Sequence, residues 1–133
     1  MPIPIYPVYT PEHSASGAID FETSAGFATL RAHLDANYDS GYYVSFTDSA
    51  YDSVTREVRY AQPKGDNAVV VNGRLALADI DVGNSDAKLT VSVWARNLFN
   101  EQHVFAKFGA PNSGVSGFFN DQRTFGAEVN VKF

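Results

Sequence analysis

Strict alternation of apolar and polar residues over long stretches is the constraint that most narrows what this chain can fold into. A β-strand sends successive side chains to opposite faces. At the C-terminal end, Phe125, Ala127, Val129, Val131 and Phe133 share one parity, and Thr124, Gly126, Glu128, Asn130 and Lys132 share the other. Four more segments repeat the pattern, and no 3.6-residue periodicity competes with it, so the chain reads as all-β.

The alternation places strands near residues 14–22, 27–47, 67–79, 87–97 and 123–133. In the first, Ala15, Gly17, Ile19 and Phe21 oppose Ser14, Ser16, Ala18, Asp20 and Glu22, and Thr23 to Gly26 is a short turn. In the second, Leu30, Ala32, Leu34, Ala36, Tyr38, Ser40, Tyr42, Val44 and Phe46 keep one parity, and Arg31, His33, Asp35, Asn37 and Asp39 keep the other. Because the parity survives Asp39-Ser40-Gly41, one long strand is expected there. At roughly 3.3 Å per residue it would run about 55 Å. Soluble strands average about five or six residues, whereas a membrane-spanning strand needs about 9 to 11.

The third segment sets Val69, Val71, Gly73, Leu75 and Leu77 against Asn72 and Arg74, and the fourth sets Leu89, Val91, Val93 and Ala95 against Thr90, Ser92, Trp94 and Arg96. Residues 48–66, with Asp48, Asp52, Arg56, Glu57, Pro63, Lys64, Gly65 and Asp66, read as a long polar loop. Residues 81–86 form a short Gly-Asn turn, and 98–122 a long Gly/Pro/Asn-rich connection. Short and long loops therefore alternate along an antiparallel up-and-down meander of about five long strands. A transmembrane β-barrel has that asymmetry, together with one face suited to lipid and one to water.

Composition removes several classes. A net charge of −5 with scattered Lys and Arg argues against nucleic acid as a partner. No stretch approaches the roughly 18 apolar residues of a spanning helix. The absence of cysteine excludes disulfide scaffolds and cysteine–zinc sites. His13, His33 and His103 lack metal-ligand spacing, and Asp20 with Glu22, or Asp79 with Asp81, are read as solvated charges rather than an acid–base pair. No nucleophile triad, phosphate loop or dinucleotide fingerprint stands out. No enzyme, metal or cofactor is expected.

Two motifs are specific. Val91-Ser92-Val93-Trp94-Ala95-Arg96 runs into Asn97-Leu98-Phe99-Asn100-Glu101, and Arg123-Thr124-Phe125-Gly126 opens a last strand that ends on Phe133. These resemble the C-terminal end of a TonB-dependent outer-membrane receptor. Upstream, Pro11 to Gly17 and Val71-Asn72-Gly73-Arg74-Leu75 resemble the same family.

The resemblance implies a 22-stranded barrel in the outer membrane of a Gram-negative bacterium. The full family imports scarce ligands such as ferric siderophores, cobalamin or oligosaccharides, with energy from the TonB complex. It implies a lumen lined by Arg31, His33, Asp35, Arg74, Trp94 and Arg96, and a role for Phe133 as the aromatic signal read by the barrel-assembly machinery. It also places residues 48–66 and 98–122 outside the cell. The signal peptide, plug, TonB-contacting box and earlier strands have no counterpart in these 133 residues. The expected partners are thus outer-membrane lipid, the remaining strands and plug, and TonB only through the missing part. Five strands fall short of the roughly eight that close a filled barrel, so transport by this chain alone is not expected. Two other readings stand beside it: a soluble β-sandwich binding or adhesion domain, and a small membrane barrel closed by self-association.

Overall fold

Period-two sequence becomes nine strands, and no helix occurs among the described residues, which in this computed structural model are 5–46, 50–51, 54–55, 58–60, 62–110 and 114–133. In chain order they are β1 (Ser14–Ser24), β2 (Thr29–Asp39), β3 (Ala50–Tyr51), β4 (Val58–Tyr60), β5 (Ala68–Asp81), β6 (Lys88–Arg96), β7 (Val104–Ala110), β8 (Gly114–Phe119) and β9 (Thr124–Lys132). Five of them form one antiparallel meander with spatial order β1-β2-β5-β6-β9, and the sheet is not closed. The other four make two separate hairpins, β3-β4 and β7-β8. The chain divides into two compact units. One comprises Met1–Ala15, Tyr38–Ala68 and Gln102–Asp121, and the other Ser16–Asn37, Val69–Glu101 and Gln122–Phe133.

The second unit holds the sheet apart from a few strand-end residues, and its register sorts the side chains. Leu75 pairs with Val93 and Val93 with Ala127; Leu77 pairs with Val91 and Val91 with Val129. Apolar residues therefore meet apolar residues across β5, β6 and β9. On the opposite face Arg74 pairs with Trp94 and Trp94 with Gly126, while Ala76 pairs with Ser92 and Ser92 with Glu128.

Near the end of β5 the pattern changes phase, and the backbone changes with it. Asp79 and Asp81 share the odd parity of Leu75 and Leu77, which would place two carboxylates on the apolar face. Between Leu77 and Ile80 the register shifts, and Asp79 takes a left-handed φ of 57°, a conformation aspartate tolerates better than most residues. The extra residue is a β-bulge. It brings Ile80 opposite Leu89 and Asp81 opposite Lys88, where the two charges pair.

The apolar face is uncovered. Phe125 is 78% exposed, Ile19 70%, Val129 66% and Val93 52%. Among the described residues the buried apolar side chains are all alanine: Ala28, Ala68, Ala76, Ala78, Ala87 and Ala106.

Three expectations need correction. The strand expected over 27–47 starts at Thr29 and stops at Asp39. The Asp39 carboxylate accepts the Gly41 N–H at 2.9 Å, and Gly41 has a φ of 80°. A Cβ at Gly41 would lie 2.1 Å from the Gly65 carbonyl oxygen, so the chain turns where only glycine fits. Beyond the turn, Tyr43 makes an isolated bridge to Val8, and Thr47 lies outside the described residues. Within 48–66 the chain forms β3-β4, pairing Ala50 with Tyr60 and Tyr51 with Val58; Asp48, Asp52, Arg56 and Glu57 lie outside the described residues. The connection 98–122 is likewise not wholly loop, since β7 and β8 pair from Val104↔Phe119 to Ala110↔Gly114.

Asp66 ties the first unit together. Its carboxylate accepts the Val104 N–H at 3.0 Å and the Lys107 ammonium at 2.5 Å, and its own N–H donates to the Val104 carbonyl. Beside it Gly65 N–H donates to the Tyr42 carbonyl. The Lys107 bond, then the Val104 amide, hold the Asp66 carboxyl below the usual carboxylate range. A carboxyl whose pKa is lower folded than unfolded stabilises fully above its unfolded value, about 3.9, and loses that contribution as pH falls through the folded value. Hydrogen-exchange protection at the Val104 amide is therefore expected to be flat above about pH 5 and to fall in stronger acid. Asp66→Asn should weaken that protection at neutral pH and remove the acid step; an unchanged acid step would assign it to another group.

Candidate functional site

The polar face of the sheet gathers charged side chains from β1, β2, β5, β6 and β9 into one strip of short bonded groups. At one end Arg31 on β2 reaches sideways in both directions. Its Nε donates to Glu22 on β1 at 2.8 Å and its Nη2 to Asp79 on β5 at 3.2 Å. Next along β2, His33 Nδ1 lies 2.6 Å from Asp20 on β1 and its Nε2 lies 3.5 Å from Asp35. Asp35 in turn accepts the Asn37 and Asn72 amides at 3.0 and 2.8 Å. Further across, Arg74 on β5 donates to Ser92 on β6 at 3.0 Å and to Glu128 on β9 at 3.2 Å. Ser92 is 1% exposed; its small side chain lets the Arg74 guanidinium reach over β6 to β9.

All six residues read as lumen-facing belong to this strip. Arg31, His33 and Arg74 line a hollow of about 350 Å³, and His33, Arg74, Trp94 and Arg96 line an adjacent one of about 260 Å³. Asp35 supports both through His33 and Asn72. Sequence reading left Asp79, Ser92 and Glu128 out of the site. For Asp79 the signal was present in the phase slip Leu77-Ala78-Asp79-Ile80; for Ser92 and Glu128 only the register reveals the link.

Trp94 and Gly126 are one structural element. They are register partners, and a Cβ added to Gly126 would meet the indole ring at 2.7 Å. The ring lies across the glycine, covering backbone that has no side chain of its own, an arrangement that also pins register. Arg96, two residues on, places its guanidinium 5.7 Å from the indole centroid, within cation–π range.

The two C-terminal motifs meet at a turn. Asn97 and Asn100 both adopt left-handed backbone, φ 51° and 52°, which asparagine accommodates more readily than most residues. The Asn97 amide brackets Glu101, accepting its N–H and donating to its carbonyl, both at 2.8 Å. Asn97 N–H donates to Asn72 Oδ1, and Leu98 N–H to the Val71 carbonyl. Asn100 Oδ1 accepts the Arg123 N–H at 3.0 Å, tying the turn to the start of β9. Thr124 pairs with Arg96, and Phe125 joins the apolar face opposite Ala95. Phe99 is 74% exposed and Phe133 fully exposed.

Chemically, the carboxylates of the strip are matched: Glu22, Asp79 and Glu128 each face an arginine across a strand boundary, Asp20 faces the His33 imidazole and Asp35 the Asn72 amide. Such a surface holds water and polar solutes. Among the described residues no group of three or more His, Cys, Asp or Glu side chains converges to hold a metal ion.

The tight seat of Trp94 on Gly126 makes a direct prediction. Gly126→Val should displace the indole, shift its emission to longer wavelength, and destabilise the sheet by about 1–3 kcal/mol, as overpacking does; thermal melts followed by Trp94 fluorescence measure both. An unshifted spectrum with an unchanged melt would mean the ring does not rest on the glycine. Comparison with known proteins identifies no relative: no protein-family model, no curated protein and no solved structure matches the chain.

Proposed function

We propose that the chain is the C-terminal barrel segment of a TonB-dependent outer-membrane receptor, with its apolar face toward lipid and its charged strip toward a water-filled lumen. The observation that carries this reading is the register of β5, β6 and β9, which puts Leu75, Val93, Phe125 and Val129 on one uncovered face and the Arg74–Glu128 ion pair on the other. The sheet strands are 9 to 14 residues long, the length a tilted spanning strand needs, about 9 to 11 residues. The turn built by Asn97 and Asn100 gives the motif residues of the resemblance a structural reason to be there.

In this reading the receptor imports a scarce ligand, and the present segment supplies part of the barrel wall without catalysing a reaction. The β3-β4 and β7-β8 hairpins then belong to extracellular loops, and the exposed Phe133 takes the part of the aromatic residue read by the barrel-assembly machinery. The remaining strands and the plug complete the barrel, and the TonB complex acts through the N-terminal part. The segment does not transport by itself.

A soluble sandwich would bury its large apolar side chains between two sheets, and their exposure here counts against it. Self-closure by several copies uses the same lipid face, and a defined oligomer in detergent would favour it over a segment completed by other strands.

Refolding into phospholipid vesicles tests the assignment. The chain should partition into the bilayer with its β-sheet circular dichroism intact, and remaining in the aqueous phase as a folded monomer would refute the proposal. Val129→Arg should weaken insertion by about 2–4 kcal/mol if the residue lies near mid-bilayer. Asn130→Arg, on the opposite face, should change it by less than about 1 kcal/mol; equal effects at the two positions would reverse the lipid-face assignment.

A further inference from the structure

Arg96 differs from the other cations of the strip. Arg31, Arg74 and Lys88 each pair with a carboxylate, but among the described residues no carboxylate lies within ion-pairing distance of Arg96. Its guanidinium lies over the face of Trp94, 5.7 Å from the ring centroid. Stacking on a ring orients a guanidinium without neutralising it, and leaves its in-plane N–H donors free for an anion.

The hollow beside it is of matching kind. About 260 Å³ in volume, it is lined by Arg96, Trp94, Arg74, Asn72, His33 and Glu128. Two guanidinium charges face one carboxylate there, so the pocket carries a net positive charge before His33 is counted. Arg74 pairs with Trp94 across β5 and β6, two residues from Arg96. Ser92 and Arg96 flank Trp94 on opposite sides along β6, so the Arg74 guanidinium, bonded to Ser92, turns away from Arg96 and leaves Arg96 as the lining guanidinium with no carboxylate of its own.

We propose that this pocket binds a small anionic group, a carboxylate or phosphate, on the guanidinium of Arg96, beside the electropositive edge of the Trp94 ring. The pocket itself requires only the sheet. Its place in a lumen, where an anionic ligand group would meet it on passage, rests on the barrel reading above.

Trp94 is the only tryptophan of the chain, so its emission reports the pocket directly. The 133-residue chain, folded in detergent, is titrated with inorganic phosphate and separately with succinate at constant ionic strength, against sodium chloride. A saturable change with either oxyanion and none with chloride is expected, and which responds more tightly distinguishes phosphate from carboxylate. Arg96→Gln should raise the titration midpoint about tenfold or more, as removal of a charged hydrogen-bond partner does, and Arg96→Lys should raise it less. Lys132→Gln, a charge loss at the far end of β9, should leave it unchanged. A response matched by chloride, or an unaltered midpoint in Arg96→Gln, overturns the site. If Arg96→Gln loses its β-sheet signature, the indole N–H resonance of the unaltered chain decides: saturable movement with phosphate or succinate supports the pocket, and none overturns it. A chain that inserts into vesicles but binds neither anion loses the pocket alone, whereas one that binds without inserting keeps the pocket and loses its lumen.

Discussion

Register is the constraint on which this sheet depends. Side-chain direction has period two, so a one-residue slip of a single strand would turn all of its apolar residues to the opposite face. Three features hold the alignment. The Trp94 ring seated on Gly126 fixes β6 against β9. The bulge at Asp79 absorbs the one position where the sequence changes phase. The Asn97–Glu101 turn, bonded to Asn72, Val71 and Arg123, ties the ends of β5, β6 and β9. Exposed ion pairs are each worth little, about 0–1 kcal/mol, so the strip from Glu22 through Arg31 to Asp79, and from Arg74 to Glu128, follows register more than it stabilises the fold. Its consequence is specificity, since a shifted strand would set apolar residues opposite Arg74 and Arg31.

What could be read from the sequence was what alternation alone encodes. The parities of β1, β5, β6 and β9 are local properties of their own residues, and so was the membership of Arg31, His33, Asp35, Arg74, Trp94 and Arg96 in one polar face. The end of β2 was not local. Apolar parity runs on through Tyr42, Val44 and Phe46, yet the chain turns because the Gly65 carbonyl approaches Gly41 from 24 positions later, and nothing near Gly41 announces Gly65. The hairpins inside the two long connections were hidden for a related reason. Gly114 and Gly117 in β8 read as loop formers, but Gly114 takes a left-handed turn conformation, φ 76°, and Gly117 gives room to the Val104 side chain across the hairpin. In the candidate site the same division holds. The faces were legible, whereas the bridge from Arg74 over Ser92 to Glu128 exists only once three strands are aligned.

The two faces of the sheet make opposite demands on their surroundings. Charged side chains about half exposed on one face, Arg31 and Arg74 among them, require water. On the other, Ile19, Phe21, Val93, Phe125 and Val129 stand exposed, and an uncovered apolar surface of that kind marks contact with protein or lipid. A soluble fold would meet the demand with a second layer. A bilayer meets it without any second layer, but imposes a further condition, because no backbone N–H or C=O can stay unpaired in hydrocarbon. With β1 and β9 at its two edges, the sheet cannot satisfy that condition alone. In a bilayer, other strands would have to pair with both edges, whether from a longer polypeptide or from further copies of this one. Under the proposed barrel reading the apolar face and the open edges are one argument: a membrane setting for the first would require, through the second, that the sheet be part of a closed wall.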